Sequence, residues 1–364
     1  GRLLWVNRAF EKRYGYSRQE VEGKRVCEIP GAPCYLLPGP QQDPSETHCI
    51  AERLSPRGLN EEVYCYSPGG EGFWGHISLT PVLDEAGEVR YYTVLLTDIT
   101  ERKVREEALA QRTAELEASL RYAARLQRAF LPKNLDGLRP YFKDVGLWYH
   151  PLDRLGGDFY GYLPVENGVV VGVGDATGHG VPAALISIYA VTSLYEKVKQ
   201  HGLQIQKVYE ELRESMAWFF GGEGGAQEGF ELALIAYEPA ANIAYYLGAR
   251  RPLWLLRHGE IYFIEGGRID ITAQTLPGSA HPLVPTIQTL RLEPGDRLYL
   301  FSDGLVDQMG GPERKRFSRS RLSSFLRANS YLPMDELISL LQEAIRTFMG
   351  DEPQTDDILF LGLE

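Results

Sequence analysis

The sequence predicts an α+β protein built from an N-terminal sensor-sized module, a long linking helix, and a larger C-terminal domain with two packed antiparallel sheets flanked by helices. Three observations support this fold class. Strands and helices occur in separate blocks rather than in alternation. A charged stretch without Gly or Pro separates two regions rich in turns. The length of 364 residues exceeds the usual size of one hydrophobic core.

The first region, residues 1–100, has the pattern of a small antiparallel module with a few short helices. It ends in alternating strands, FWGHISLTPVLDEAGEVRYYTVLLTDIT, and the turn from Asp84 to Gly87 predicts a hairpin. Its first residues, RLLWVN, resemble a strand in mid-fold. We therefore expect that the first strand of the module, and an upstream part of the chain, precede Gly1.

The second region, residues 101–131, predicts a charged helix that forms a coiled coil. Heptad spacing relates one set of residues, and a second set occupies the intermediate positions. The first set is Leu109, Leu116, Ala123 and Phe130, and the second is Thr113, Leu120 and Gln127. This seam predicts a parallel homodimer, and the alternative is a single solvated helix with a charged face.

The third region, residues 132–364, predicts nine strands joined mostly by hairpin turns such as RHGE and LEPGD. Three helices interrupt them, at Val181–Gln200, Ile205–Phe220 and Met334–Met349. The strands are predicted at VGLWYHP, DFYGYLPV, GVVVGVGDA, FELALIAYEP, NIAYYLG, PLWLLRHG, EIYFIEG, DRLYLFSDG and DDILFLGL.

Composition excludes several classes of function. The net charge is −11 and the isoelectric point is near 5.3, which argues against a nucleic-acid surface over the whole sequence. No apolar run approaches the roughly 20 residues of a spanning helix, and no signal peptide is recognisable. We expect a cytoplasmic protein without membrane or nucleic-acid contacts. All four cysteines lie in the first 65 residues with spacing too irregular for a compact zinc motif, so structural thiols are the simpler interpretation than metal or redox sensing.

Acidic residues follow or begin several strands of the third region. Asp158 lies in GGDFYG, Asp175 in VGDATGHG and Asp303 in LFSDG, whereas Asp356 and Asp357 are adjacent in TDDILFL. Converging carboxylates repel one another, and a hard divalent cation offsets that repulsion. Each acid alone also has a simpler interpretation, as a cap of a glycine turn or the start of an edge strand.

Taken in order, these motifs resemble the metal-dependent serine/threonine phosphatases of the PPM family, and more closely the bacterial sporulation stage II protein E and RsbU type. The resemblance extends over Leu131–Glu364 and rests on RLQRAFLP, GGDFY, GDATGHGVPAAL, GARRPLWLLR, LFSDGLVDQMGG and TDDILFL. Two departures occur: Gly161 replaces a frequent second aspartate, and Gly248-Ala249-Arg250 replaces the usual Ala-Gly-His. Neither matches a core metal ligand of that family.

The resemblance implies a site for two Mn²⁺ or Mg²⁺ ions. Asp175 would bridge the two ions, the backbone carbonyl of Ala176 would assist one of them, and Asp158 would serve the second metal directly or through water. Asp303 and Asp356 would complete the first. A water shared by two cations ionises near neutral pH and attacks phosphorus, so no protein nucleophile is needed.

Asp357 occupies the neighbouring position in the family pattern and is the less favoured metal ligand of the pair. For His179, in the Gly-His-Gly turn, a structural hydrogen bond is favoured over a proton shuttle. The segment GGPERKRF contributes Arg314, Lys315 and Arg316 shortly after Asp303. These cations predict a mobile flap that engages the phosphoprotein, and an ordinary solvated loop is an equal alternative.

The first region resembles a PAS domain over WVNRAFEKRYGYSRQEVEGK and ISLTPVLDEAGEVRYYTVLLTDITERK. The segment PCYLLPGPQQDP resembles the flavin-adduct segment of the light-sensing LOV subgroup, which would place Cys34 at the reactive position. The polar residues that LOV domains use around the flavin are absent. A flavin edge without hydrogen bonds is costly, so we expect no bound flavin and leave the ligand of this domain open. The matching positions hold Pro33, Pro38, Cys65, Gly75 and Leu96.

Together these features predict a phosphoserine/phosphothreonine protein phosphatase that a PAS sensor regulates through a dimeric coiled coil. By resemblance, the substrate would be a STAS-type anti-anti-sigma factor in bacterial partner-switching signalling. Two alternatives from other classes are a signalling adaptor without turnover and a flavin-based light sensor. For regulation, we expect the helix after Thr100 to move Asp158, Asp175 or the helix that begins at Val181.

Overall fold

The computed structural model of the chain forms two compact units, Gly1–Glu117 and Ala118–Glu364. The structure describes residues 2–25, 28–29, 35–36, 48–49, 57–66, 71–220, 228–272 and 285–364. Among the described residues, no helix has the length and apolar character needed to cross a bilayer.

The first unit contains a three-stranded antiparallel sheet in the order β3-β4-β5. The predicted hairpin is confirmed: the Asp84 carboxylate accepts hydrogen bonds from the backbone N–H groups of Ala86 and Glu88 at 2.9 and 3.0 Å and so closes the turn between β4 and β5. The elements are α1 (Arg8–Tyr14), α2 (Arg18–Val21), β1 (Tyr35–Leu36), β2 (His48–Cys49), β3 (Leu59–Tyr66), β4 (Gly72–Leu83) and β5 (Val89–Asp98).

Helix α3 runs without interruption over Thr100–Phe130, as the charged stretch predicts. It begins where the Asp98 carboxylate accepts a hydrogen bond from the backbone N–H of Thr100 at 3.0 Å. Along its exposed side, pairs four residues apart such as Arg102 and Glu106 add modest stability.

The second unit is a sandwich of two antiparallel sheets, as the sequence predicts. One sheet has the order β14-β10-β9-β8-β7 with β13 paired to β9, and the other has the order β12-β11-β15-β18-β6. A short hairpin, β16 (Met309–Gly310) and β17 (Lys315–Arg316), lies outside both. The sandwich strands are β6 (Val145–His150), β7 (Asp158–Val165), β8 (Gly168–Ala176), β9 (Gly229–Glu238), β10 (Ile243–Ala249), β11 (Leu253–Arg257), β12 (Glu260–Ile264), β13 (Ile271–Thr272), β14 (Gln288–Arg291), β15 (Arg297–Phe301) and β18 (Ile358–Leu363).

Helices cover the outer faces of this sandwich. The three predicted helices appear as α4 (Gly180–His201), α5 (Ile205–Phe220) and α8 (Met334–Met349). The sequence patterns did not predict α6 (Asp303–Asp307) or α7 (Arg319–Ala328). Both are short, and α7 is rich in Arg and Ser, so its apolar periodicity rests on few residues. A 3-10 turn, Asp136–Leu138, precedes β6.

Strand β18 shows how the two cores divide. Leu359, Leu361 and Leu363 belong to the core between the sheets, whereas Ile358 and Phe360 belong to a second core with residues of α7 and α8. Side chains alternate across a strand, so one fully buried strand can serve both cores. Burial on both faces explains why TDDILFLGL is an unbroken apolar run after its two acids. The buried strand also fixes the position of those two acids, which directly precede it.

Candidate metal centre

The register of β7 and β8 places two of the predicted acids directly opposite each other. Asp158, the first residue of β7, pairs with Asp175 near the end of β8, and Asp175 pairs in turn with Glu231 of β9. The run of valines in β8 is buried on both faces, so the strand that carries Asp175 is held firmly in the sandwich. Three carboxylates therefore occupy one row across the sheet.

Asp158 is the most deeply buried acid of this row. Its side chain is almost inaccessible, with 1% exposure, and neither carboxyl oxygen has a hydrogen-bond partner among the described residues. The nearby Ser302 hydroxyl donates instead to the carbonyl of Asp357 at 3.2 Å. Burial raises the pKa of Asp158 well above its usual value and the neighbouring Asp175 raises it further, while the nearby Ser302 hydroxyl and the Arg251 charge oppose the shift. A buried carboxylate without a partner is costly and calls for a ligand.

Asp175 lies where β8 meets a tight turn. Burial raises its pKa to about 7, Arg251 works against that shift, and Asp303, Asp356 and Glu231 add to it. After Ala176 the chain turns through Gly178 and Gly180, both with left-handed φ angles of +86° and +72°, which only glycine adopts readily. This turn leads directly into α4.

The Ala176 carbonyl lies beside the loop that precedes Asp158. A side chain at Gly157 would approach this carbonyl oxygen to 2.9 Å, and the Ala176 N–H donates to the Gly157 carbonyl at 3.2 Å. Glycine is therefore needed for the close approach of these two backbone segments. The carbonyl predicted as a metal ligand thus lies close to the segment that carries Asp158.

The other sheet contributes Asp303 at the end of β15. Ser302 has an extended conformation, and Asp303 is the first residue of α6 with a side chain that is about half exposed. A side chain at Gly304 would collide with the backbone carbonyl of Asp357. The close approach of these two segments holds Asp303 next to the Asp356-Asp357 pair.

The two adjacent acids before β18 have different roles. Asp357 is buried and accepts hydrogen bonds at 2.6 Å from the backbone N–H groups of both Leu152 and Gly157. Its oxygens thereby hold the loop that leads into Asp158. Asp356 is more accessible: burial raises its pKa, the N–H of Asp357 opposes the shift, and Asp303 adds to it. Asp356 is therefore the better placed of the two to bind a cation.

A buried arginine joins three of the acids. The Arg251 guanidinium forms ion pairs with Asp175, with Glu231 at 2.7 Å and with Asp303 at 3.4 Å. Burial opposes its charge, yet Asp175, Asp303 and Glu231 raise the pKa of Arg251 above its usual value. Arg251 is 5% exposed, so these contacts are made largely out of water.

The residues present fit a hard divalent cation, although they are not closed around one. As the side chains stand, no three His, Cys, Asp or Glu residues in the described part of the chain are grouped to hold a metal ion. The donors are all oxygen atoms, which Mn²⁺ and Mg²⁺ prefer, and the two orphaned oxygens of Asp158 lack any other partner. The single positive charge of Arg251 leaves the cluster with excess negative charge.

Comparison with known families agrees with this architecture. The family model described as Stage II sporulation protein E matches residues 166–364, which is more than half of the chain. The chain belongs to the stage II sporulation protein E family. A model described as PAS domain matches residues 1–101. The predicted PAS and PPM-type phosphatase assignments are both confirmed.

Solved structures related to this family share the fold of the second unit. The SiaA-PP2C domain of Pseudomonas aeruginosa superposes with a TM-score of 0.63 and 26% identity, over 70% of this chain and 99% of that one. The RsbU and RsbW domains of Rv1364c from Mycobacterium tuberculosis superpose with a TM-score of 0.51 and 20% identity, over 61% of this chain and 59% of that one. The second likeness shows a common fold.

The PAS part is similar to light sensors. It is 34% identical over 98 residues to "Blue-light-activated histidine kinase 2" of Erythrobacter litoralis (strain HTCC2594), which covers 27% of this chain and 26% of the kinase. The chain thus spans about a quarter of the length of that relative. The likeness supports the predicted resemblance to the LOV subgroup.

In the described part of the PAS domain, an apolar cluster surrounds Cys65. A side chain at Gly75 would meet Leu96 at 2.6 Å and the Cys65 sulfur at 3.1 Å, so three of the positions predicted to lack flavin partners lie together. Burial raises the pKa of the Cys65 thiol to about 11, which indicates an inert thiol. Cys34, Pro33 and Pro38 lie outside the described residues.

The three cations predicted as a flap form part of the β16–β17 hairpin, and each is paired with an acid. Arg314 binds Glu352 at 2.7 Å, Lys315 binds Glu313 at 2.5 Å, and Arg316 binds Asp307 at 3.0 Å. All three side chains are exposed. This geometry favours the alternative of a solvated hairpin.

Sequence analysis did not predict the roles of Glu231 and Arg251 at this centre, nor that of Gln127 beside it. Glu231 is the one acid within the otherwise apolar start of β9, and Arg251 follows the unusual Gly248-Ala249-Arg250 segment. Both positions are therefore distinctive in the sequence. Gln127 was predicted as a seam position, but it is buried and bonds to the Gly156 backbone. His179 is exposed and does not cap α4 with its side chain, which leaves its predicted structural hydrogen bond without support.

Proposed function

We propose that this chain is a metal-dependent phosphoserine/phosphothreonine protein phosphatase that its PAS domain regulates through α3. In this proposal the PAS sensor comprises residues 1–100, the linker residues 101–131 and the phosphatase domain residues 132–364. The observation that carries it is the pair Asp158 and Asp175, adjacent in register, with both oxygens of the buried Asp158 unsatisfied. A protein that used this fold only for binding would have no need of so costly a charge.

In the proposed site, Asp175 and Asp158 would hold the metal ions together with Asp303 and Asp356, and the Ala176 carbonyl would assist. Two Mn²⁺ or Mg²⁺ ions, when bound, supply charge neutralisation for the phosphoryl oxygens and activate water. The chain's own contribution is positional. The buried β8 fixes Asp175, and Asp357 holds the backbone of Leu152 and Gly157 and thereby the start of β7.

The substrate class we propose is a phosphorylated STAS-type anti-anti-sigma factor of bacterial partner-switching signalling. Membership of the stage II sporulation protein E family supports this choice, and the fold shared with the RsbU and RsbW domains is consistent with it. The acidic net charge of the chain gives no attraction for nucleic acid.

The test is Mn²⁺-dependent dephosphorylation of a phosphoserine STAS protein by the wild type and by Asp175→Asn. A matched control is Asp307→Asn, since Asp307 lies four residues after Asp303 but, among the residues described, forms its ion pair with the exposed Arg316. We expect activity in the wild type and the control and none above background in Asp175→Asn. Equal activity in all three would exclude Asp175 from the reaction, and a wild type without activity toward any phosphoserine protein would favour the adaptor hypothesis.

The end of α3 supplies a route for regulation. The Gln127 amide donates to the Gly156 carbonyl at 2.5 Å and to the Ser187 hydroxyl of α4 at 2.8 Å. Around it, Ala124 packs with Leu155 and Ala184. These contacts join the helix to the loop before Asp158 and to the helix that follows Asp175. We propose that a signal which shifts α3 changes the spacing of these two acids.

The dimer we propose is confined to the first half of α3. Leu109 and Leu116 are 67% and 62% exposed, as unpaired seam residues would be in one protomer. The seam prediction does not extend unchanged to the end of the helix, because Leu120, Ala123 and Gln127 pack within the second unit. Apolar residues at heptad spacing that remain exposed favour a second copy of the same helix.

Sedimentation equilibrium tests this dimer. We expect Leu109→Lys combined with Leu116→Lys to give a monomer. Gln111→Lys combined with Ala118→Lys adds the same charge at the same spacing on the opposite side of the helix and should leave the dimer intact. A wild type that is monomeric, or two double variants that behave alike, would contradict the proposed interface.

We propose that the PAS domain works without flavin, because Gly75 and Leu96 have no polar side chain and the buried Cys65 offers only a weakly donating thiol to a flavin edge. The identity with a blue-light-activated kinase supports the competing hypothesis of a light sensor. The colour of the purified protein distinguishes them. A colourless protein after expression with excess riboflavin supports our proposal, and a yellow protein that bleaches in blue light contradicts it.

A further inference from the structure

We propose that Arg251 is an internal cation that competes with the divalent metal for Asp175 and Asp303. The inference rests on the proposed function, because it concerns the same carboxylates. It adds a role for a residue outside the predicted ligand set: Arg251 neutralises the cluster before metal binds and lowers the affinity for that metal. Its guanidinium must leave Asp175 for the carboxylate to accept both cations.

The contacts of Arg251 support this role. One guanidinium nitrogen, Nη2, pairs with Asp175 and lies 3.4 Å from Asp303, while Nε lies 2.7 Å from Glu231. Two of these three acids are the ligands proposed for metal. A carboxylate oxygen committed to a buried guanidinium is not free to bind a second cation at full strength, and two cations at one carboxylate repel each other.

The backbone of Arg251 cannot move easily to release the side chain. Its carbonyl accepts a hydrogen bond from the buried Tyr246 hydroxyl, and the same carbonyl lies so close to Gly266 that any side chain there would collide with it. Pro252 follows and restricts the chain further. The exchange must therefore occur by rotation of the Arg251 side chain around a fixed backbone, and Glu231 is the acid outside the proposed ligand set that keeps it nearby.

The charge of the cluster is compatible with either occupant. Asp175, Asp303 and Glu231 contact Arg251, and Asp158 also stabilises its charge. One guanidinium cannot neutralise four acids, so the cluster retains attraction for divalent cations while Arg251 is present. Loss of Arg251 removes a competing charge that is only 5% exposed, and buried charges interact strongly. The affinity for metal should then rise.

The adjacent Arg250 provides a matched control. Its side chain is 52% exposed and pairs with Asp270 at 3.3 Å and with Glu231 at 3.6 Å, but not with Asp175. Arg250→Gln therefore removes the same formal charge one residue away without freeing a proposed ligand. Long-range electrostatics alone would affect both variants similarly, whereas direct competition affects Arg251→Gln alone.

The experiment is calorimetric titration of the metal-free chain with MnCl₂. We expect Arg251→Gln to bind Mn²⁺ at least tenfold more tightly than the wild type, a change of about 1.4 kcal/mol, and Arg250→Gln to stay within about twofold. Arg251→Lys should fall between, because lysine keeps a charge but lacks the planar fork that reaches several acids. Equal affinity in all four proteins, or weaker binding in Arg251→Gln, would overturn the proposal.

Thermal unfolding of the same proteins shows whether each variant is folded. Arg251→Gln leaves buried acids unpaired, so its metal-free form should melt below the wild type, and Mn²⁺ should raise its melting temperature more than it raises that of the wild type. If Arg251→Gln does not fold, Arg251→Lys must still bind Mn²⁺ more tightly than the wild type, or the proposal fails. Equal Mn²⁺ binding by all variants would refute competition but leave a metal phosphatase intact; no Mn²⁺ binding by any of them would refute both.

Discussion

The acidic cluster and the basic hairpin of the second unit are both dense in charge, but they differ in burial and in balance. In the cluster, Asp158 is buried without a hydrogen-bond partner in the described part of the chain, and Arg251 is shared among Asp175, Glu231 and Asp303. In the hairpin, each of three exposed cations has its own exposed or partly exposed acid. Burial rather than the number of charges therefore indicates which region has a ligand to bind. The sequence alone does not show which of these two charged regions binds a ligand.

The largest expected effect comes from Asp158→Asn. Loss of a proposed ligand should lower turnover of a phosphoprotein by about a thousandfold or more. The same change should raise the stability of the metal-free protein by about 1 kcal/mol, since an amide without a partner is cheaper to bury than a carboxylate. Enzyme assays and urea unfolding in EDTA measure the two quantities. Loss of both activity and metal-free stability would mean that Asp158 is structural. Its burial would then not indicate a ligand site.

The adjacent acids sharpen the contrast between holding the backbone and binding a cation. Asp357→Asn should cost about 2–4 kcal/mol of unfolding free energy, because one of two buried N–H groups loses a charged acceptor. Asp356→Asn should cost less than about 1 kcal/mol of unfolding free energy. It should nevertheless lower the activity of the folded protein more than Asp357→Asn does. Urea unfolding and initial rates, measured side by side, check this. If Asp356→Asn lowered stability more and Asp357→Asn lowered activity more, Asp357 would be the metal ligand of the pair.

Gln127→Leu tests how far the acid cluster depends on α3. The change retains the shape but leaves the buried Gly156 N–H and carbonyl without their partner, so we expect a loss of about 1–3 kcal/mol of unfolding free energy. Arg128→Leu changes the exposed neighbour and serves as the control. Denaturant unfolding gives the values. Identical stability of the two variants would show that Gln127 does not hold the loop before Asp158.

The smallest effect is expected at the hairpin. Replacement of Arg314, Lys315 and Arg316 by alanine together should change stability by less than about 1 kcal/mol per pair, because exposed ion pairs contribute little. Turnover of the phosphoprotein should stay within about twofold of the wild type. A large rise in KM for the phosphoprotein, with unchanged hydrolysis of a small phosphate ester, would restore the flap hypothesis.

Most of the fold was predictable because its signals are local. The valine run in β8 and the amphipathic pattern of α5 and α8 each specify their element, and their bounds differ little from prediction. Helix α7 was missed because few apolar residues carry its pattern. For the coiled-coil seam, periodicity alone could not tell a partner helix from the chain's own core. Leu120, Ala123 and Gln127 pack within the second unit, whereas Phe130 is 43% exposed.

The site was predictable in its acids but not in its electrostatics. The family resemblance specifies Asp158, Asp175, Asp303 and Asp356, whereas the different role of Asp357 depends on backbone N–H groups about 200 residues away in the sequence. The contact between Arg251 and Asp175 likewise joins strands whose approach follows only from the packing of the whole sandwich. Interactions of this kind depend on tertiary geometry, which sequence spacing does not encode.

Anomalous diffraction from crystals of the full chain, grown with Mn²⁺, tests the proposed metal centre most directly. We expect two anomalous peaks bounded by Asp158, Asp175, Asp303 and Asp356, with the Arg251 guanidinium moved away from Asp175. A catalytically active preparation whose crystals show no peak there, and in which Arg251 still pairs with Asp175, would contradict it.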